Sequence, residues 1–484
     1  YIMAMIHAGK QKGSGAMDDR DLLGSRLVES KRVTDEQLQM ALERQRISGG
    51  RLGYNLIALG FVDQDSLTDF LKRVPSVPSS VEDTGLDMGF IVDLINKHVV
   101  FLGEFTIPIV ADLVKLPLFV VNQAMDVLRR ERLIEVKGAD QLHKTSYKYA
   151  MTDTGRNRAA ELLNTCKYVG PAPVTLDEYR KQIEVQTVMH IVISPERFKK
   201  AFSHLVVDES LLNSLGTAAC SGRPIFIYGP PGNGKTTIAE SVGRALPGNI
   251  YLPHALIVGG EIITVFDKSV HEPVSLEEDS QEHDQRWMCV KRPTIMAGGE
   301  LTMRTLDLDF NPITKFYEAP LQLKANNGLF IIDDLGRQRM DIETLLNRWI
   351  YPMTNRKDML TLHTGRKFEV PFDQMMIFST NIDPRELLDA AFLRRLRHKI
   401  KVDTPTPEQY RNIFIQVCEY NNLQFDEQAF AYLMEIYEQM DISLSNCHPR
   451  DIIEYIIDDA FYYSQKPVLS EEKISAACNS LFIT

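Results

Sequence analysis

Apolar positions along the chain change period several times, and each change predicts a different kind of element. Between residues 18 and 75 they recur at helical spacing in two copies offset by 29 residues. The first copy runs Leu23, Leu27, Val28, Val33, Leu38, Leu42; the second runs Leu52, Leu56, Ile57, Val62, Leu67, Leu71. Each predicts a short helix, a turn and a second helix, opened by Thr34-Asp-Glu-Gln or by Asp63-Gln-Asp-Ser. Pro75-Ser-Val-Pro78-Ser-Ser then reads as a linker. Helical runs follow at 89–98, 106–115 and 119–132, with strand-like stretches at 133–137 and 144–151. A further helix is opened by Thr152-Asp-Thr-Gly155. After Pro171-Ala-Pro173, residues 196–215 read as one amphipathic lead-in helix. Short continuous apolar runs (Ile225 to Ile227, Leu329 to Ile332, Met375 to Phe378) predict buried strands of a parallel sheet. Between them, 257–266, 288–290 and 294–301 read as strands with glycine turns, and the acidic stretch 276–284 reads as an exposed loop. Phe266, Trp287 and Met288 in this region either grip a substrate or fill a local core. From 406 onward the pattern is helical, near 407–421, 426–440 and 449–463. The expected domains are 18–75, 85–168, 190–403 and 404–484.

The chemistry concentrates in three places. Gly229-Pro230-Pro231-Gly232-Asn233-Gly234-Lys235-Thr236-Thr237 has the spacing G-x-x-x-x-G-K-T between an apolar strand and a helix. Glycines there let backbone N–H groups close around a phosphate. Lys235 reaches the outer phosphates, and the Thr236 hydroxyl can ligate Mg²⁺. The strand at Leu329 to Ile332 ends in Asp333 and Asp334, where an open α/β sheet places Mg²⁺ chemistry. Asp333 is expected to hold the magnesium and Asp334 to polarise the attacking water. A third strand ends in Asn381, a polar residue suited to touching the outer phosphate or orienting that water.

Taken with Leu387-Leu-Asp-Ala-Ala-Phe-Leu393-Arg394-Arg395 and Cys447-His448-Pro449-Arg450-Asp451, these motifs resemble the AAA+ ATPase family over roughly 190–480. The resemblance implies that Asn381 is sensor 1 and Arg450 sensor 2. Arg394 and Arg395 match paired arginine fingers that reach a neighbouring subunit's ATP, in a spelling close to severing and disassembly members. A finger acting in trans implies an oligomeric ring, most often a hexamer. Asp334 stands where the family usually has Glu. The shorter side chain must sit closer or work through an extra water, which predicts slow or conditional hydrolysis.

The front of the chain carries two weaker resemblances. The tandem copies, joined by five residues (46–50), are similar to the N-terminal domain of type II secretion and type IV pilus assembly ATPases. Members of that family bind cyclic di-GMP through two R-L-G-x-x-L-V-x-x-G motifs. Here the implied ligand residues are Leu23, Gly24, Arg51, Leu52 and Gly53. The first arginine is replaced by Leu22, the motif glycine by Lys31 and the closing glutamine by Val74. Leucine cannot supply the planar fork that pairs with phosphate or guanine. Docking and nucleotide sensing both stay open. Three helices followed by a two-stranded wing resemble a winged helix, with 119–132 in the recognition position. Arg129, Arg130, Arg132, Lys144 and Lys148 favour DNA; Asp126, Glu131 and Glu135 on the same stretch favour a protein-docking role.

Composition narrows the classes. With 54 basic and 65 acidic residues the net charge is −11, which argues against a non-specific nucleic-acid coat. Six scattered cysteines form no C-x-x-C pair, as expected of a reducing cytoplasm without a zinc site. The most apolar stretch, 99–121, is interrupted by Glu104, Asp112 and Lys115, so no membrane insertion is expected. The residues through Gly13-Ser-Gly-Ala-Met17 read as a leader outside the fold.

The expectation is therefore a cytoplasmic α/β protein. A P-loop AAA+ parallel sheet with a helical lid is preceded by a small all-α repeat domain and a winged-helix-like domain. Its cofactors are ATP and Mg²⁺, and its work is remodelling a protein target in a ring, linked to pilus or secretion systems through cyclic di-GMP. Two alternatives stand beside it: a DNA-dependent motor or loader, and a second-messenger-controlled ATP switch.

Overall fold

The computed structural model describes residues 24, 27–28, 32–48, 52–64, 66–67, 74–139, 147–274, 283–387 and 390–482. The chain divides into two compact units, Tyr1–Phe70 and Leu71–Thr484. In the first, helices Asp35–Ser48 and Leu52–Ala58 pack through Leu27, Val33, Ala41, Leu52, Leu56, Val62 and Leu67. The expected helix starts carry caps: Gln37 N donates to Thr34 Oγ1 (3.3 Å), and Ser66 N to Asp63 Oδ1 (2.7 Å). A methyl on Gly24 would lie 2.9 Å from Leu38, and Leu52 and Gly53 are buried. Leu22, Leu23, Lys31 and Arg51 lie outside the described residues.

The second unit opens with helices Met88–Val99, Ile107–Val114 and Leu118–Arg130 around strands β1 (Glu104–Phe105), β2 (Ile134–Ala139) and β3 (Tyr147–Met151). The sheet order is β1-β3-β2, all antiparallel, and helix Asp153–Thr165 follows. Helices Ile107–Val114 and Leu118–Arg130 bend by 112° at their junction. No single helix among the described residues is long and apolar enough to cross a membrane.

The sheet that carries the glycine-rich loop is parallel and five-stranded, in the order β10 (Thr294–Ala297), β13 (Leu329–Ile332), β16 (Met375–Thr380), β5 (Ile225–Tyr228), β17 (His398–Lys401). Alternation assigns its two faces. Ile225, Ile227, Leu329, Ile331, Met375 and Ile377 pack under helix Lys235–Ala245. Phe226, Phe330, Ile332, Met376 and Phe378 pack on the other side with Trp349 of helix Ile342–Asn355. Burial on both faces is why these strands read as continuous apolar runs.

A second five-stranded sheet joins distant segments, in the order β11 (Asp309–Asn311), β12 (Phe316–Glu318), β8 (Glu261–Thr264), β7 (Ala255–Val258), β4 (Val174–Thr175). Hairpin β14 (Lys357–Thr361)–β15 (Lys367–Pro371) and pair β6 (Asn249–Pro253)–β9 (Trp287–Lys291) complete the strands. Ala255 and Ile262 enter the core of the three-helix region, so that region and this sheet share one hydrophobic interior. The connector between them is also tied down: Ala172 N donates to Val114 O (2.8 Å) and Lys167 N to Thr314 O (2.9 Å).

Three expectations change. The lead-in helix is two, Pro195–Ala201 and Glu209–Ser221, because Asp208 caps a new start, its Oδ1 accepting from Leu211 N at 2.7 Å. The presumed linker is held, since Pro75 O accepts from Asp284 N at 3.0 Å. Asp284 itself is buried rather than exposed, because Arg286, also buried, pairs with it at 2.8 Å and with Glu178 at 3.2 Å. In the same region Trp287 is core, and Phe266 packs edge-on to His254 and stacked on His271, which fits the local-core reading.

The C-terminal helices Pro407–Tyr420, Glu427–Gln439, His448–Tyr462 and Glu471–Leu481 form their own core around Tyr410, Phe414, Leu433, Ile452 and Ile456.

Candidate functional site

The phosphate loop leaves β5 and enters helix Lys235–Ala245 with Gly229, Gly232 and Gly234 at φ +146°, +75° and +76°. A side chain at Gly229 is excluded, because a Cβ would sit 2.0 Å from Val402 O on the backbone leaving β17. The conformation that frees amides for a phosphate is thus fixed by a neighbouring strand. Lys235 Nζ donates to Gly229 O (2.9 Å) and Pro230 O (2.7 Å), closing the loop on itself. Burial lowers the pKa of Lys235, against the opposing pull of Asp334 and Asp333. Asn233, within the loop, is buried.

β13 and β16 lie side by side with Leu329 opposite Met375, and their ends bring the other predicted residues together. Thr236 Oγ1 donates to Asp333 Oδ2 at 2.7 Å, and Asn381 Nδ2 donates to Asp334 Oδ1 at 3.1 Å. Thr236 and Asp333 are hard oxygen donors, and no group of three or more His, Cys, Asp or Glu that could hold a metal occurs among the described residues. That donor set fits a magnesium ion that takes its remaining ligands from substrate phosphates and water.

Asp334 is unusual. Its φ is +48°, the left-handed region, which costs a non-glycine residue about 1–2 kcal/mol and which Asp and Asn tolerate best. The turn is bolted to β16: Leu335 N donates to Ser379 O (2.8 Å) and Thr380 Oγ1 to Leu335 O (2.7 Å). Gln338 donates to Asp333 O (2.9 Å) and Asp334 O (3.2 Å), and its Oε1 accepts from Gly336 N (2.8 Å). Sequence reading missed Gln338 and Thr380, since a loop glutamine and a strand-end threonine carry no spacing signal.

The arginines are less gathered. Arg394 is exposed on the short helix Ala390–Arg395, and the side chain of Arg395 lies outside the described residues. Arg450, also exposed, lies 3.3 Å from Asp451 and 3.8 Å from Glu454 on its own helix. What touches the phosphate loop is the segment just before that helix. Asn446 N donates to Asn233 Oδ1 (3.2 Å) and Asn446 Nδ2 to Asn233 O (3.3 Å). Ser445 Oγ and Cys447 Sγ fill the space a side chain at Gly232 would need.

Comparison with known proteins adds to this geometry. The family model "Domain of unknown function (DUF8689)" matches residues 406–480, within the C-terminal helices. The chain is similar to a vesicle-fusing ATPase of Arabidopsis thaliana, 27% identical over 165 residues, 34% of this chain and 20% of that protein. It is also similar to vesicular-fusion protein SEC18 of Saccharomyces cerevisiae (strain ATCC 204508 / S288c), 28% identical over 180 residues, 36% of this chain and 21% of that protein. The chain thus spans about a fifth of these relatives' length. Among solved structures, NtrX from Brucella abortus in complex with ADP aligns at TM-score 0.36 and 13% identity, over 57% of this chain and 56% of that one. The RuvB Holliday junction branch migration motor of Thermotoga maritima aligns at TM-score 0.33 and 13% identity, over 64% of this chain and 72% of that one.

Fold and site together define a parallel α/β fold that carries a phosphate-loop motif at its strand ends. Within that class, the sequence similarity is to proteins named as vesicle-fusing ATPases.

Proposed function

We propose that this protein is a cytoplasmic, Mg²⁺-dependent AAA+ ATPase that works in a homo-oligomeric ring, most simply a hexamer, to remodel or disassemble a protein target. The observation that carries the reading is the pair of contacts Thr236–Asp333 and Asn381–Asp334 at neighbouring strand ends beside the phosphate loop. In this reading loop amides and Lys235 bind the ATP phosphates. Thr236 and Asp333 hold Mg²⁺, which when bound neutralises phosphate charge. Asp334, held by Asn381, takes the proton of the attacking water. Arg394 and Arg395 of a neighbouring copy stabilise charge on the departing phosphate, and Arg450 follows the lid. The names of the relatives, vesicle-fusing ATPases, support ATP hydrolysis in this reading.

The front domains choose that target. The helix–strand–helix–helix–strand–strand order and the β1-β3-β2 sheet support a winged helix at 85–168. The helix in its recognition position presents Leu118 and Phe119 in its exposed first turn, while Arg129 pairs with Asp126 and Lys137 with Glu135. An apolar leading edge, with Arg129 and Lys137 paired while Arg130 and Arg132 stay exposed, fits a protein at least as well as a phosphate backbone. In domain 18–75, the buried Leu52 and Gly53 and the Gly24–Leu38 packing fit a docking module. The link to cyclic di-GMP and pilus or secretion systems rests on the tandem motif alone.

The test is steady-state ATP hydrolysis against protein concentration for the wild type and Arg394→Ala/Arg395→Ala, with and without cyclic di-GMP or duplex DNA. Specific activity should rise with concentration, and the inactive variant should regain turnover in mixed rings. Concentration-independent turnover with a normal variant refutes the ring. Stimulation by DNA with steep salt dependence favours the DNA motor. Slow turnover with a large cyclic di-GMP-linked change in assembly favours the switch.

A further inference from the structure

The turn after β13 must hold a non-glycine residue in a left-handed conformation and deliver its carboxylate to Asn381. Strained backbone of this kind persists only where its surroundings over-determine it. Four contacts come from β16 and the turn itself: Leu335 N to Ser379 O, Thr380 Oγ1 to Leu335 O, Arg337 N to Asp334 O (2.9 Å), and Asn381 Nδ2 to Asp334 Oδ1. The first two anchor Leu335, one residue past the strain. The side chain that spans the strained peptide on both sides is Gln338. Its amide nitrogen takes the carbonyls of Asp333 and Asp334, and its amide oxygen takes the N–H of Gly336.

We propose that Gln338 is a positioning residue for hydrolysis. It locks the backbone of Asp334 so that the short carboxylate faces Asn381, without itself touching nucleotide. The inference rests on the reading of Asp334 as the group that takes the water's proton. It also gives a reason for aspartate there: the left-handed backbone favours Asp, and the lock supplies the placement that a longer glutamate would find by its own reach. The phosphate loop and Lys235 lie outside the lock, which reaches Asp333 only through its backbone carbonyl, so loosening it should affect turnover and spare binding.

The test measures kcat, KM and the affinity for a fluorescent ATP analogue on the full chain, for Gln338→Ala, Gln338→Glu, Asp334→Asn and Gln338→Ala/Asp334→Asn. Gln338→Glu keeps the volume and an acceptor for Gly336 N but sets a carboxylate against the two carbonyls, so it decides the matter if the alanine variant does not fold. Both Gln338 variants should lose about ten-fold to a hundred-fold in kcat, as for misplaced catalytic groups, with affinity within about two-fold of wild type. The double variant should be no slower than Asp334→Asn alone. Wild-type kcat in the Gln338 variants, with Asp334→Asn inactive, overturns the role of Gln338 and leaves that of Asp334 standing. Wild-type kcat in Asp334→Asn overturns both. Parallel loss of affinity and thermal stability with unchanged turnover of the bound enzyme reduces Gln338 to a structural residue and also overturns the proposal.

Discussion

Gly232→Ala probes the contact between the phosphate loop and the C-terminal helices. The residue sits at φ +75°, and an added methyl would lie 2.4 Å from Ser445 Oγ and 2.8 Å from Cys447 Sγ. The hydroxyl can rotate away. It already leans on the thiol at 3.4 Å, however, so the segment as a whole must give. Its retreat stretches the two bonds between Asn446 and Asn233, each worth about 0.5–1.5 kcal/mol, on top of about 1–2 kcal/mol for the left-handed alanine. About 2–5 kcal/mol is therefore at stake. The strain falls mainly on stability. The loss of the Asn446–Asn233 contact weakens nucleotide binding, by about ten-fold if about 1.4 kcal/mol reaches the site. Titration of a fluorescent ATP analogue beside a thermal melt separates the two. Gly232→Ala/Ser445→Gly should recover affinity but not the melting temperature. Affinity and melting both at wild-type values in Gly232→Ala would refute the reasoning.

Two further outcomes concern stability. Burial first, and the nearby charge of Lys115 second, push His254 down to about 4, so its folded form prefers the neutral ring. Between pH 6.5 and 4 the unfolded chain binds the extra proton; the contribution is whole above about pH 6.5 and lost as pH falls toward 4. Urea unfolding should lose about 2 kcal/mol from this group between pH 7 and 5, and His254→Asn should remove that share of the slope; an identical slope refutes it. Buried His271 and His98 act in the same direction. Arg286→Ala strands buried Asp284 and should cost about 3–5 kcal/mol in chemical denaturation, whereas Arg286→Met/Asp284→Asn should recover much of it. A single-variant cost under about 1 kcal/mol would show that the pair is not desolvated as described.

The sheet that carries the glycine-rich loop was legible because its strands are buried on both faces and its motifs are spelled by short-range spacing. Loop, carboxylates and Asn381 converge through parallel register alone. The second sheet was not legible. β4 pairs with β7, and β12 with β8, in parallel across long separations, and no local pattern encodes such a pairing. Asp284 misled because an acidic stretch predicts exposure, while its cation lies two residues away in an arginine with no motif of its own. The same limit hid Gln338 and Asn446. Their work is done through backbone carbonyls and amides, which every residue possesses and no sequence distinguishes.

The shared interior between the three-helix region and the second sheet has a mechanical consequence. A partner pulling on that region would not first take up slack in a tether. The chain runs from it directly into β4, whose bonds to β7 lie across the direction of travel, so tension loads them in shear. The pull then passes through the sheet into the stretch that carries β6 and β9 and, from there, into β10 at the edge of the sheet that carries the glycine-rich loop. The three-helix region is a stiff handle on the second sheet, and force applied to it would reach the site with little lost to stretching.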